Sequence, residues 1–360
     1  MSPRLPHAAM PAFKRTFIVL VVGGVFAAVM LALLASGGMS AAGALAALWN
    51  GSFGSWYAIT SGTLVRAVPL MLTGCSVAVA FRAGVFNIGA EGQFLLGATA
   101  AAAVALAFPG GGSGTAVLAL LAAVVFGACW AAVAAVMRSR FGVLEVISTI
   151  MLNFVAIHAV SYLVRGPLQE PTRIYPQSST ISDAVHLARI PGAGRLHVGF
   201  AVAVAALAAA GWVFRRTWAG FRLLAVGESP TAAASAGRIH VSRTTRNAFI
   251  VSGALAGLAG GVEVLGVTFA LYENISPGYG YTAIAVALLA RLDPWRILLS
   301  ATLFAALEAG AGAMQRDAGV PASLVTVVEA VLILAVVAAQ AARWSGWRGS
   351  VITAPSETAA

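Results

Sequence analysis

A stretch of polar side chains and glycines near residue 90 separates two apolar runs. Asn87, Glu91 and Gln93 stand close together here, and glycines are interspersed with them. Glycine lets the backbone leave helical geometry and approach other groups closely. Inside a membrane, such a break is tolerated only where protein or a watery cavity covers it. The carboxylate and two amides therefore suit a path for a polar solute. An ordinary turn between spans, with Glu91 bonded to local backbone, explains the pattern equally well.

Acidic side chains also occur inside or at the edges of other apolar runs, at Glu145, Glu263, Glu308 and Glu329. A carboxylate in the middle of a bilayer costs about 2.5–3.5 kcal/mol, so each should face the bundle interior or a cavity. Glu263 and Glu308 are predicted in the middle of spans. They either line a solute path or are protonated or hydrogen-bonded to neighbouring groups.

Thr149 and Asn153 lie one helical turn apart and share a face, so they are candidates for the same path, with the same structural alternative. The five His and two Cys residues show no spacing typical of a metal site. We predict no metal site.

Composition identifies the solvent of the chain. Of 360 residues, 60% are hydrophobic and 9% are charged, whereas soluble domains carry roughly 25% charged residues. Lipid must therefore cover most of the surface. The net charge of +10 would suggest nucleic acid in a soluble protein. Here the basic residues cluster in short loops between apolar runs, so we predict no nucleic-acid partner.

The apolar runs predict an all-α, polytopic transmembrane helix bundle with about ten spans, and eight as the lower bound. They lie near residues 17–36, 64–82, 93–109, 115–137, 143–164, 198–214, 247–270, 279–291, 297–315 and 321–341. The first run is too long for the apolar part of a secretory signal and is interpreted as an uncleaved span. The short run 279–291 is either a span or a re-entrant segment.

The charge distribution orients the bundle. Sixteen of the 22 Lys and Arg residues fall on the N-terminal side of the predicted spans, which makes that side cytoplasmic. Both termini are then cytoplasmic. The predicted organisation is a tail (1–16), one transmembrane domain (17–341) and a second tail (342–360). Within the domain, 165–197 is an external loop and 215–246 is a basic cytoplasmic loop.

Four segments carry a family resemblance. The stretch FRAGVFNIGAEGQFLLGA (81–98) resembles a signature of the permease subunits of bacterial nucleoside and simple-sugar ABC importers, within the broader branched-chain amino acid and ribose permease superfamily. Segments 142–153, 252–266 and 284–291 are similar to further parts of that pattern. The likeness covers roughly residues 64–340.

The basic loop contains a segment similar to the coupling helix that such permeases dock into their ATPase. Ser229 suits an N-cap, with Pro230 at the first helical position. Two residues depart from the family pattern: Arg238 interrupts its usual Ala-Gly-Ile sequence, and Ser229 stands where the family frequently has Asn. The alternative is a solvated basic loop held by anionic lipid headgroups. The residues that the resemblance assigns to ATPase coupling are Gly227, Glu228, Ser229, Pro230, Ala233, Gly237 and Arg238.

If transport is driven by ATP, the ATPase must be a separate chain. A P-loop needs a lysine near the nucleotide phosphates, and Lys14, outside any Gly-rich context, is the only lysine. We therefore expect no cofactor and no enzymatic activity in this chain, with ATP and Mg²⁺ used by a separate ATP-binding cassette ATPase. The resemblance also implies a second permease copy or a paralogous permease, an extracytoplasmic substrate-binding protein, and a location in the bacterial inner membrane.

The functional prediction is import of nucleosides or related ribosyl solutes by alternating access. One alternative is the same class of importer acting on simple sugars or branched-chain amino acids. Another is an ion-coupled secondary transporter with Glu263, Glu308 and Glu329 as relays. A membrane-embedded enzyme is disfavoured, because the sequence contains no GxSxG motif and no paired aspartates in facing spans.

Overall fold

The computed structural model describes residues 40–235, 237–321 and 327, and these residues form helices connected by loops. The α-helices are α1 (Ala41–Ser52), α2 (Val65–Arg82), α3 (Ala90–Ala107), α4 (Gly112–Phe141), α5 (Glu145–Val164), α6 (Gly199–Arg216), α7 (Trp218–Glu228), α8 (Pro230–Ser235), α9 (Val241–Glu263), α10 (Tyr279–Leu289) and α11 (Pro294–Asp317). A π-helical segment, Ala58–Leu64, leads into α2, and another, Val264–Thr268, continues α9.

Seven helical stretches in the described part of the chain are long and apolar enough to cross a membrane, and α10 is shorter. The prediction of a polytopic helix bundle is confirmed. The predicted first and last spans, near 17–36 and 321–341, lie outside the described residues except for position 327 and the first position of the last span. A total of about ten spans and the side of the termini therefore stay predictions.

The chain divides into two compact units. One comprises residues 49–310 and contains α2 to α10. The other comprises residues 1–48 and 311–360, of which the structure describes the beginning of α1 and the end of α11. In that unit, Ser40 Oγ accepts a hydrogen bond of 3.2 Å from the Gly43 N–H.

Glycines bring α3, α4 and α9 into direct backbone contact. A Cβ atom on Gly97 of α3 would overlap the backbone of Gly257 in α9, and one on Gly127 of α4 would overlap Gly253 O. A Cβ on Gly260 would likewise meet the carbonyl oxygen of Phe94. Small residues at such crossings let membrane helices gain dispersion contacts along their backbones. These three helices form one closely packed layer in the larger unit.

Burial separates inner helices from peripheral ones. The apolar windows of 58–82, 90–107 and 241–268 are 83%, 72% and 72% buried inside the protein. Those of α4, α5 and α6 are only 28%, 28% and 22% buried, so most of their apolar surface faces outward. Outward apolar faces are what a lipid solvent requires. The multi-pass membrane character predicted from composition is thus built into the packing.

Helix α10 is half of a discontinuous segment. We call the end of the unit that carries residues 165–198 the loop face, and the opposite end, with α7 and α8, the basic face. At the loop face, Glu273 Oε2 accepts a hydrogen bond of 2.7 Å from Arg165 Nη2. The guanidinium of Arg165 and the hydroxyl of Ser161 hold the pKa of Glu273 below its ordinary value. From there the chain enters the unit without helical structure until α10 begins at Tyr279.

The second half runs to the basic face. Asp293 Oδ2, just beyond α10, accepts a hydrogen bond of 2.6 Å from Arg215 Nη2 at the end of α6. The 11 residues of α10 span only about 16 Å at 1.5 Å per residue, roughly half of the hydrocarbon thickness. Residues 269–293 therefore cross the unit as an irregular half followed by a helical half, which explains why the apolar run at 279–291 is too short for a span.

The glycine contacts predict a steric sensitivity that can be tested with one methyl group. The substitution Gly257→Ala places a Cβ against Ala123 O and the Gly127 backbone. We expect α4 and α9 to separate slightly, at a cost of about 1–3 kcal/mol. The midpoint of thermal unfolding in detergent should fall by roughly 2–4 °C per kcal/mol.

Gly114→Ala is the matched control, since a Cβ at Gly114, also within a helix, meets nothing within 4 Å. Alanine should leave stability unchanged or raise it there, because it favours helical backbone over glycine. Equal stability of the two variants would contradict the proposed close crossing.

Candidate functional site

Asn87 lies at the centre of a buried hydrogen-bond network. The segment 83–89, between α2 and α3, brings it into the bundle, where it is 0% exposed. Asn87 Nδ2 donates to Ser252 Oγ (2.8 Å) and to Gln93 Oε1 (2.9 Å). Gln93 Nε2 donates back to Asn87 Oδ1 over 3.1 Å, and the Gly89 N–H donates to the same oxygen over 2.9 Å. The two amides therefore hold each other and the break in the helix.

The network extends into two inner helices. Ser252 of α9 lies 2.9 Å, between hydroxyl oxygens, from Ser76 of α2. Both serines are fully buried. Because buried polar groups cost free energy unless they are paired, such a network strongly prefers one arrangement. It fixes the position of segment 83–89 relative to α2 and α9.

Glu91 joins this break to the discontinuous segment. Its carboxylate, in the first turn of α3, accepts a hydrogen bond of 2.7 Å from the N–H of Gly280 in the first turn of α10. The Gly280 backbone packs directly on Ala90 and Glu91, where a Cβ would not fit. Unpaired N–H groups at helix N-termini favour a carboxylate. Its observed partner is thus 189 residues away along the chain rather than local backbone.

Asn153 fastens the same region to α5. Its Oδ1 accepts from the Gly92 N–H over 2.9 Å, and its Nδ2 donates to Ile88 O over 3.0 Å and to Tyr281 Oη over 3.2 Å. Thr149 packs one turn away against Gly89, but its hydroxyl donates to the carbonyl of Glu145 in its own helix. Asn153 is therefore part of the network, and Thr149 only packs beside it.

We call this set the polar junction. It consists of Asn87, Glu91, Gln93, Asn153 and Ser252, together with the Gly280 N–H. Four of the seven path candidates from the sequence come together here. Ser76, Ser252 and Tyr281 were missed, because serine and tyrosine within apolar runs are common and only the fold shows what they contact.

Glu263 and Glu308 belong to a second charged group. Glu308 Oε1 lies 3.8 Å from Arg66 Nε, and Arg66 Nη1 also donates to Gly62 O over 3.1 Å. Glu263, 5% exposed, interacts electrostatically with Glu308, Arg66 and Arg195. It ends the α-helical part of α9, directly before the π-helical residues. Such widened turns occur frequently at functional sites.

Tyr279 lies near both groups. It is 6% exposed and within electrostatic range of Glu91, Glu263 and Glu308. Its ring packs at a centroid distance of 5.7 Å from Phe94 of α3. The start of α10 therefore contacts the polar junction and lies within electrostatic range of Glu263 and Glu308.

Residues 227–238, which we call the coupling segment after the role that the resemblance predicts, contain a short helix where Ser229 and Pro230 predict one. Ser229 Oγ accepts a hydrogen bond of 3.2 Å from the Ala232 N–H. Ser229 therefore caps α8, which begins at Pro230. Ala233 is buried against Val226 and Ile239. The remaining coupling candidates are exposed or partly exposed at the surface: they are Gly227, Glu228, Ser229, Pro230, Gly237 and Arg238. This short helix is thus mostly exposed, and it packs on the protein through Ala233.

The coupling segment also contacts the break that carries Asn87. A Cβ on Gly227 would overlap Arg82 O, and one on Gly84 would lie 3.3 Å from Gly227 Cα. Gly84 itself has a φ of 70°, a left-handed conformation that favours glycine. The end of α7 therefore rests on the backbone where α2 ends and segment 83–89 begins.

Relatives of known class match this chain in sequence over most of their length. The chain is 36% identical over 348 residues to the guanosine ABC transporter permease protein NupP of Bacillus subtilis, covering 96% of this chain and 97% of the relative. It is 41% identical over 283 residues to a glucose ABC transporter permease protein of Haloferax volcanii, covering 75% and 74%. The nucleoside ABC transporter permease protein NupB of Lactococcus lactis is 34% identical over 281 residues, covering 75% and 77%. No solved structure matches the chain.

A family model agrees with these relatives. The model described as branched-chain amino acid transport system / permease component matches residues 58–337. That range contains the polar junction, the second charged group and the coupling segment. The resemblance to ABC-importer permeases predicted from segment 81–98 is confirmed, and the chain belongs to the branched-chain amino acid transport system / permease component family.

Proposed function

We propose that this chain moves nucleosides or related ribosyl solutes inward across the membrane, as the permease of an ATP-driven, binding-protein-dependent importer. The contact of Gly227 with Arg82 O is the observation that carries the mechanism. It connects the segment suited to docking an ATPase with the break that holds the polar junction. The match to a guanosine permease over nearly the full length of both chains supports the substrate class.

The partners follow from the same proposal. An ATP-binding cassette ATPase docks on α8 at the basic face, which is then cytoplasmic, and uses ATP and Mg²⁺ there. This chain itself carries no cofactor and acts as a transport subunit, not as an enzyme. A substrate-binding protein delivers the solute at the loop face. A second copy, or a paralogous permease, completes the pathway in the bacterial inner membrane.

Alternating access has a physical route through the contacts described above. Displacement of α8 by the ATPase moves α7, and Gly227 passes that displacement to the start of segment 83–89. The junction then transmits it to α9 through Asn87 and to α10 through Glu91. Because α10 is only half of a crossing, it can shift relative to α3 without moving a complete span. Four of the seven path candidates belong to the junction on this route, Thr149 packs beside it, and Glu263 and Glu308 are proposed to line the solute path.

An ion-coupled secondary transporter is the second candidate, because the buried Glu263 lies near the partly exposed pair of Glu308 and Arg66 and acidic groups within spans serve as relays in transporters. The proximity of Arg66 to Glu308 favours a fixed ion pair over a proton relay. Uptake that persists without the partner ATPase but collapses with an uncoupler would favour this alternative.

Uptake of labelled solutes tests the substrate class. In cells that lack the gene, the initial rate of nucleoside uptake should fall, whereas uptake of ribose and leucine should be unchanged. Restoring the gene should restore nucleoside uptake. Loss of sugar or leucine uptake instead would keep the importer and contradict the nucleoside assignment.

Two variants separate docking of the ATPase from transmission. Deletion of residues 228–238 removes α8 and should abolish co-purification of the ATPase while the protein still inserts into the membrane. Gly227→Ala leaves α8 intact but separates α7 from Arg82. It should keep the ATPase bound and lower uptake by about tenfold, within the usual range of coupling energies. Gly114→Ala is the control for a helical glycine with open space around it. Normal uptake by Gly227→Ala would contradict the transmission route.

Glu91 variants test whether the carboxylate acts as an acceptor. Glu91→Ala leaves the Gly280 N–H unpaired, which costs about 1–3 kcal/mol in a buried site, so thermal stability and uptake should both fall. Glu91→Gln keeps an oxygen acceptor and should retain most of both. If Glu91→Gln keeps normal stability but loses uptake as fully as Glu91→Ala, the negative charge of Glu91 is required. Its role as acceptor for the Gly280 N–H would then not be sufficient.

A further inference from the structure

A basic pocket lies between the end of α4 and the start of α9 at the basic face. Its volume is about 320 Å³. Two guanidinium groups, of Arg138 and Arg246, and three hydroxyl groups, of Ser139, Ser242 and Thr245, line it. None of these residues belongs to the polar junction or to the coupling candidates. The pocket therefore needs a separate explanation.

One guanidinium nitrogen in this pocket is not satisfied by the described part of the protein. Arg138 Nη1 is buried and forms no hydrogen bond within the described residues. Glu145 Oε1 lies 3.5 Å from it, a separation that gives ionic attraction without a good hydrogen bond. Buried donors in native proteins nearly always have an acceptor. The Arg138 side chain as a whole is 34% exposed, so a change of rotamer can turn its guanidinium group towards an acceptor in the pocket.

The charge and geometry favour a phosphate group. Two arginines against the single carboxylate of Glu145 leave the pocket positive. Guanidinium groups match phosphate oxygens through paired N–H donors. The start of α9 adds to this, because His240 provides no side-chain cap for its first N–H groups, and such groups attract anions.

The depth of the pocket indicates where the phosphate comes from. Arg138 directly follows the apolar run of α4, and Arg246 directly precedes that of α9. Both therefore stand where the hydrocarbon ends. Ala135 and Phe249, about one turn further into the apolar runs, and Val241 supply an apolar wall. A lipid needs both surfaces, since its phosphate joins a charged headgroup to apolar chains, whereas free phosphate needs only the first.

We propose that this pocket binds the phosphate group of an anionic phospholipid. Basic pockets between transmembrane helices at a membrane surface recognise such headgroups. The bound lipid bridges α4 and α9, the two helices that cross at Gly127 and Gly253, and holds the end of α9 that follows the coupling segment. The proposal does not depend on which solute is transported.

The chain offers a closely matched pair of variants. Arg138→Gln with Arg246→Gln removes both guanidinium groups from the pocket. Arg140→Gln with Arg243→Gln removes the same charge from the same two helices, at exposed positions outside the lining. Any effect of net charge on lipid attraction is therefore equal in the two double variants.

The measurement is thermal unfolding of the purified full-length chain in detergent, with phosphatidylglycerol, phosphatidylcholine or inorganic phosphate added. Phosphatidylglycerol should raise the midpoint by about 5 °C in the unaltered protein and in the Arg140/Arg243 control, since a ligand well above its Kd stabilises to that order. Most of that shift should be lost in the Arg138/Arg246 variant. Phosphatidylcholine and inorganic phosphate should give little shift.

Three results would overturn the proposal. The pocket variant and its control could respond equally, which would indicate nonspecific surface attraction. Inorganic phosphate could give the full shift, which would make a soluble anion the ligand. The pocket variant could keep its lipid response but lose the ATPase, which would make this a protein-docking surface. If the double variant does not fold, Arg246→Gln alone, at an exposed position, should still lose part of the lipid response relative to Arg243→Gln.

Discussion

Backbone hydrogen bonding is the constraint on which the rest of this structure depends. Lipid offers no partner to an N–H or C=O group that helical geometry leaves free. Segment 83–89 and the start of α10 both leave such groups inside the bundle, and side chains of the polar junction bind them. Asn87 accepts from Gly89, Asn153 accepts from Gly92 and donates to Ile88, and Glu91 accepts from Gly280. The junction is therefore first of all a substitute for missing helical hydrogen bonds.

The glycine crossings restrict where the larger unit can move. Helices α3, α4 and α9 touch through their backbones at Gly97, Gly127 and Gly257, so this layer of three helices cannot shift far without separating. Interiors packed at this density respond by discrete rearrangement rather than by gradual deformation. Movement must then be accommodated by the irregular segments beside the layer. Those are the segments that the coupling end of α7 and the short helix α10 contact.

Different parts of this picture were predictable from the sequence to different degrees. Apolar length and composition predicted the bundle, and the serine-proline step at 229–230 predicted the capped start of α8, because both depend on local chemistry. The partner of Glu91 was not predictable, since Gly280 is distant in sequence and a backbone N–H leaves no mark on residue type. The tight contact at Gly227 was equally hidden, because glycine in a loop indicates a turn as readily as a close approach.

The state of the junction also limits how a solute can use it. Both amides and the Glu91 carboxylate are engaged by the protein in this conformation, so a polar solute gains hydrogen bonds there only by displacing bonds of similar strength. The net gain is small, which suits a path that must release its solute rather than retain it. Selectivity is then better supplied before the solute enters the membrane. On this argument the same groups that repair the backbone would keep the proposed pathway weakly binding, and in the proposed mechanism the energy for transport comes from the partner that moves α7 and α8.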